Sequence, residues 1–246
     1  MSATWHTFRR LAWTPFAGKY SLGRSMSWSE QPIHFVDFEG SLGSGILEFG
    51  AVTLQRGEVT AARTRLCRPT GRIRSEDTAV HGLDQTTLHA AAPFAEEFDY
   101  FAGLRATGPL AAHFAGAENS LIKSVWPYGR AAPDFARPGA GSQEWGPWID
   151  TGALYRQFYP QFLGYGLSEL IAAGGLHAEL EALAGRHCPE DRRRYHAALY
   201  DALAGAVLLR SLAREPGLAQ LTVPQLLAFS TLDGGKRDAL QQGSLF

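Results

Sequence analysis

Between Ile33 and Cys67 the chain presents three strand patterns with almost nothing between them, which confines the fold to one built on a sheet. IHFVDF is a short apolar run, ILEFGAVTL alternates in part, and VTAARTRLC alternates again. Gly57 and Glu58 form the hairpin turn between the last two, and strands on such short connections make a meander. Beyond them the period changes. PFAEEFDYFAGLR (93–105) has helical spacing behind a proline, PLAAH a short buried strand, and AENSLIKSVW a helix. PWIDT is a strand leading into the helix TGALYRQFY. LSELIAAGGL is a helix stopped by its glycine pair, and residues 196–214 carry the longest helical pattern. Strands first, then helix and strand in alternation, predict an α/β fold with a sheet of about five strands. Three segments follow: a poorly patterned lead-in (1–31), a main domain (32–215), and a C-terminal segment (216–246) ending in a flexible tail. The only methionines are Met1 and Met26, and a compact domain is expected to begin just after the second, residues 1–25 being an upstream extension.

Composition narrows the class. At 45% hydrophobic and 19% charged residues the 246-residue chain is not intrinsically disordered. A net charge of −1 excludes a histone-like blanket of cations, but leaves room for cations clustered on one face. Of the 23 cations only Lys19, Lys123 and Lys236 are lysines. Cys67 and Cys188 are far apart and form no zinc spacing, which favours a reducing compartment. No apolar run reaches the roughly 20 residues that span a bilayer, and the N-terminus lacks a signal-peptide core. A cytoplasmic protein with no membrane partner is expected.

The chemistry lies in the acids. Asp37 and Glu39, two apart on a strand, point to one face. Buried there they repel each other unless a cation lies between them, and hard divalent ions prefer such oxygens. The alternative is an acidic strand end facing water. Asp201 lies early in a strongly apolar helix, with His196 five residues earlier, so both reach one site only if His196 stands at or before the helix mouth. Glu118 falls in the first turn of a helix, where the helix dipole favours an acid and capping is its simplest role.

Taken in order, five segments resemble the DEDDh 3′–5′ exonucleases, the family of the DNA polymerase III epsilon subunit and RNase T. FVDFEG resembles the family's first motif, AVHGLDQTTLHAAAPFAEEF its His-Gly segment, and AAHFAGAENSLIK its second motif. PWIDT resembles its Asp-Thr strand end and YHAALYDALAGAVLL its third motif. The resemblance covers residues 33–213 and implies a ribonuclease H-like mixed five-stranded sheet with flanking helices. It also implies that Asp37, Glu39, Glu118 and Asp201 hold two divalent ions, Mg²⁺ or Mn²⁺, and that His196 deprotonates the attacking water. Phe38, His81, Gly82, Leu83 and His113 would then face nucleic acid. The implied activity is release of nucleoside 5′-monophosphates from single-stranded or frayed DNA 3′ ends, in proofreading, replication or repair. An RNase T-like exoribonuclease and an inactive binding module on the same fold are the rivals. Two departures stand out: Glu118 replaces the usual Asp, and Phe114 and Ala117 replace the usual Asn and Phe.

Arginines cluster at 63–74 and at 192–194. The second run precedes His196, and there Arg194 could hold a phosphate by its fork, or simply face water. Residues 127–147, rich in Pro, Gly and Trp, read as a loop whose aromatics either stack on bases or pack it onto the domain. The terminal QGSLF resembles the bacterial sliding-clamp-binding pentapeptide, with Gln242, Leu245 and Phe246 as its contacts.

Overall fold

The computed structural model describes residues 27–235. Strands β1 (Ile33–Ser41), β2 (Gly45–Gln55) and β3 (Glu58–Leu66) form the expected antiparallel meander. Helices α1 (Ser75–His81), α2 (Gln85–Leu88) and α3 (Phe98–Thr107) follow, then β4 (Leu110–Ala112) and α4 (Gly116–Val125). A small hairpin, β5 (Ala132–Pro133) and β6 (Gly141–Ser142), precedes β7 (Ile149–Asp150) and α5 (Thr151–Phe158). The chain ends in α6 (Leu167–Ala173), α7 (His177–His187), α8 (Ala198–Leu212), α9 (Pro216–Ala219) and α10 (Val223–Phe229). Strand order is β3-β2-β1-β4-β7; β4 and β7 run parallel to β1, giving a mixed five-stranded sheet with flanking helices.

The sheet sorts its residues by parity. Ile33 and Phe35 of β1 join α6, α7, α8 and α10 in one core, whereas Val36 and Phe38 join α3, α4 and the 145–148 segment in the other. Asp37 and Glu39 therefore share the face covered by α8. That helix packs closest at Gly50, opposite Asp37, where a Cβ would lie 2.3 Å from the backbone of Ala198. Only glycine admits the helix start at that distance, and this contact aims the first turn of α8 at β1. The second core is aromatic: Phe94 lies 4.7 Å from Trp126 and 5.2 Å from Phe101, ring to ring.

Several elements differ from the sequence reading. Residues 127–147 carry a hairpin, and Trp145 (0% exposed) and Trp148 (8%) pack inward. Buried Arg105 holds this segment by donating to the carbonyls of Pro133 (2.6 Å), Trp145 (3.2 Å) and Gly146 (3.2 Å). Helix α7 begins directly after the glycine pair that ends α6, so its Leu180, Leu183 and Ala184 merge into the preceding pattern. Helix α10 is short but carries a capping box between Thr222 and Gln225. The lead-in and the C-terminal segment meet: the Trp28 backbone N–H donates to the Leu221 carbonyl (2.9 Å) and its indole to that of Leu218 (2.8 Å). Residues 1–26 and the QGSLF tail lie outside the described residues. Among the described residues no helix is long and apolar enough to cross a membrane, and Cys67 and Cys188 are buried free thiols.

Candidate active site

Strand β4 is only three residues long and pairs with β1 at His34 and Phe35. Beyond Phe35 that edge of β1 is open, and the acids gather there. Glu118, in the first turn of α4, reaches the edge and accepts a hydrogen bond from the Phe38 backbone N–H at 2.9 Å. From the α8 side comes Asp201, whose Oδ2 accepts from the His196 backbone N–H at 2.9 Å. His196 precedes α8 by two residues and adopts φ +60°, a left-handed turn that leaves its ring exposed. One ligand atom each from Glu39, His196 and Asp201 lies within 4.8 Å of the others.

Electrostatics ties the remaining acids to this group. Burial, then Glu118, Asp201, Glu39 and Glu48, holds the Asp37 carboxyl well above its ordinary range. Burial and the Asp201 and Glu48 charges push Glu39 up to about 8. Burial, with Glu39 and Asp201, takes Glu118 to about 8 against the pull of its bond from Phe38. Burial takes Asp201 to about 7, against the His196 N–H bond. Arg192 and Arg194 offset this only in part, and the acids stay raised. Asp201 Oδ1, buried, has no hydrogen-bond partner among the described residues. An orphaned oxygen among mutually repelling carboxylates matches the donor set of a divalent cation.

Sequence reasoning missed Glu48. It lies opposite Glu39 on β2, is 2% exposed, and pairs with Arg192. Its Oε2 also accepts from the Ala198 N–H (3.2 Å). Arg192 reaches the His81 carbonyl (2.8 Å) and the His196 carbonyl (3.3 Å) as well, so one guanidinium joins β2, the end of α1 and the turn before α8. An acid in an otherwise apolar strand was the available signal, since hairpin register sets Glu48 against Glu39. Asp150 was also underrated. Its carboxylate accepts from the N–H groups of Phe114 (3.1 Å), Ala115 (3.0 Å) and Ala153 (3.1 Å), holding the turn before α4 and the start of α5 together.

The expected nucleic-acid contacts divide. Gly82 ends α1 at φ +75°, a left-handed cap that favours glycine, and the Arg194 guanidinium lies against it, 2.5 Å from where a Cβ would be. Arg194 itself donates to the His81 carbonyl at 3.0 Å. His81 Nδ1 accepts from the Leu83 N–H (3.1 Å), while its buried Nε2 has no partner among the described residues. Phe38 and Leu83 are buried apolar side chains. Both ring nitrogens of His113 are engaged internally: Nε2–H donates to the Tyr165 carbonyl (2.9 Å), leaving Nδ1 to accept from the Thr151 hydroxyl (2.9 Å). In the 63–74 run, Arg63 and Arg65 pair with buried Glu97, and Arg74 pairs with Asp77.

No family model and no curated relative matches the chain. Solved structures do. Exonuclease X in complex with 5′-overhanging duplex DNA has a TM-score of 0.58 at 22% identity, over 81% of this chain and 99% of that one. The fold is ribonuclease H-like. The nuclease domain of 3′hExo, a DEDDh family member bound to rAMP, shares this ribonuclease H-like arrangement at a TM-score of 0.53 and 16% identity, over 79% and 97% of the two chains. Escherichia coli Exonuclease I with a dT13 oligonucleotide matches at 0.57 and 14% over 76% of this chain, which spans less than half (42%) of that protein.

Proposed function

We propose that the protein is a metal-dependent 3′–5′ exonuclease of the DEDDh type that releases nucleoside 5′-monophosphates from DNA 3′ ends, in proofreading, replication or repair. The observation that carries this reading is the convergence of Asp37, Glu39, Glu118, Asp201 and the exposed His196 at the open edge of β1, on a fold shared with exonucleases. The four carboxylates would hold two divalent ions, Mg²⁺ or Mn²⁺. Bound there, the ions would neutralise charge developing on the phosphodiester as its bond breaks.

The chain's own residues supply the rest. His196 has its backbone N–H anchored on Asp201 and its carbonyl on Arg192, so its ring stands fixed at the edge of the cluster. It takes the proton from a water as that oxygen forms its bond to phosphorus. The bond from phosphorus to the 3′-oxygen of the preceding nucleotide breaks, and the phosphate leaves on the released nucleotide. Glu118, longer by one methylene than the family's aspartate, uses that length to reach the Phe38 N–H. Arg194, whose charge acts on Glu39, and Gly82 beside it would meet the 3′-terminal nucleotide.

The test is digestion of 5′-labelled single-stranded DNA and RNA with Mg²⁺ or Mn²⁺. Stepwise shortening from the 3′ end, abolished by EDTA and by Asp37→Ala, is expected. Activity retained by Asp37→Ala removes the metal assignment, and RNA degraded in preference to DNA makes the enzyme an exoribonuclease. No degradation of either by the parent favours a binding module. A cytoplasmic setting and recruitment to a sliding clamp through Gln242, Leu245 and Phe246 belong to the same proposal; deleting residues 242–246 should abolish clamp binding.

A further inference from the structure

Phe114 is an exposed aromatic in a backbone conformation that costs a bulky residue energy. It is 39% exposed at φ +61°, a region that suits glycine or asparagine. It does not drift there, since Asp150 grips the N–H groups of Phe114 and Ala115. The ring lies against Gly152 of α5, where a Cβ would come within 2.4 Å of it. Beside it stands Arg156, its guanidinium 5.2 Å from the Phe114 ring centroid and 5.3 Å from that of Tyr165. Arg156 is exposed, and no carboxylate among the described residues pairs with it. Two rings lie against the guanidinium, while no hydrogen bond or ion pair among the described residues claims its N–H groups, the groups that fork onto a phosphate. The turn precedes Glu118 by four residues and follows directly on β4, the strand that pairs with β1 at His34 and Phe35.

We propose that Phe114 and Arg156 form a nucleotide seat beside the acidic cluster, the ring stacking on a base of single-stranded nucleic acid and the guanidinium gripping the adjoining phosphate. The ligand class rests on the nuclease reading. The seat is separate from the hydrolytic residues and sets affinity for the strand. Stacking tolerates any base, and the arginine contributes a salt-dependent contact.

The experiment is equilibrium binding of fluorescein-labelled oligothymidylate to the full chain in Ca²⁺, read by anisotropy over a range of salt. Phe114→Asn should weaken binding about tenfold and leave the salt dependence unchanged. Asparagine accepts the left-handed turn, so this variant keeps the fold, as a thermal melt will show. Arg156→Gln should weaken binding and lower the slope of log Kd against log salt by about 0.7, the value for one phosphate contact on a single strand. A merely structural role would not move that slope. Affinities within twofold of the parent for both variants, or no binding by the parent, overturn the proposal. Hydrolysis by the parent in Mn²⁺ is scored apart: binding through these residues without hydrolysis overturns the nuclease reading and leaves the seat standing.

Discussion

Removing a negative charge from the candidate site should make the metal-free protein more stable, with Asp201→Asn as the clearest case. The asparagine oxygen can still accept the His196 N–H, so the turn before α8 keeps its anchor. What disappears is the charge. The Asp201 carboxyl is moved from 3.8 to about 7 by burial, which costs about 4 kcal/mol of stability above pH 7. The sign follows from proton binding. The folded chain holds the proton more tightly than the unfolded one, so this contribution is fully present below pH 3.8 and is lost as pH rises through 7. In EDTA at pH 9 the variant should therefore melt higher than the parent by about 8–16 °C, at roughly 2–4 °C per kcal/mol for a chain of this size. At pH 5 the gap should narrow to about 1.6 kcal/mol, because the folded carboxyl is protonated there while the unfolded one is not, and the two should coincide only below pH 3.8. Mn²⁺ should raise the parent's melting temperature far more than the variant's. Scanning calorimetry across this pH range, with and without Mn²⁺, measures all three. A variant that melts at or below the parent in EDTA at pH 9, or a difference that does not change with pH, refutes the reasoning.

Glu118→Asp should lose the bond to the Phe38 N–H and cost about 1–3 kcal/mol in a metal-free urea melt. Equal stability would show that this N–H has another partner. Arg192→Met leaves Glu48 buried without its cation and should destabilise by about 3–5 kcal/mol, part of which the double variant with Glu48→Gln recovers. Burial lowers the His34 imidazole to about 4, so the neutral ring is favoured in the folded chain and its contribution is lost as pH falls below 6.5. The parent's advantage over His34→Gln should shrink by about 3 kcal/mol between pH 6.5 and pH 4, measured by urea melts.

What could be read from the sequence was whatever is local. The meander, the helix that carries Asp201 and the first-turn acid of α4 each announce themselves within a dozen residues, through period, turn chemistry and dipole. The chain order of the acids also survives into space. What could not be read is pairing at a distance. Glu48 and Arg192 are 144 residues apart and Asp150 is 36 from the turn it grips, and no local pattern connects such pairs. The bond from Glu118 to Phe38 exists because β4 ends early, and three residues of strand leave no periodic trace of where pairing stops. Phe114 looked like a simple replacement; its strained, exposed position depends on Asp150 and Gly152, both supplied by a later part of the chain.

Arg105 gives the segment before β7 a mechanical character. Three carbonyls of that segment rest on one side chain rooted in α3, with Trp145 wedged beneath them. The hairpin is thus a clamped cantilever: held at its root and exposed at its tip, 137–141. The segment is therefore a wall, not a flap. Extra residues inserted at the tip would lengthen the wall and leave the acidic edge of β1 undisturbed. Truncating Arg105 would instead remove the three bonds that tie the segment to α3.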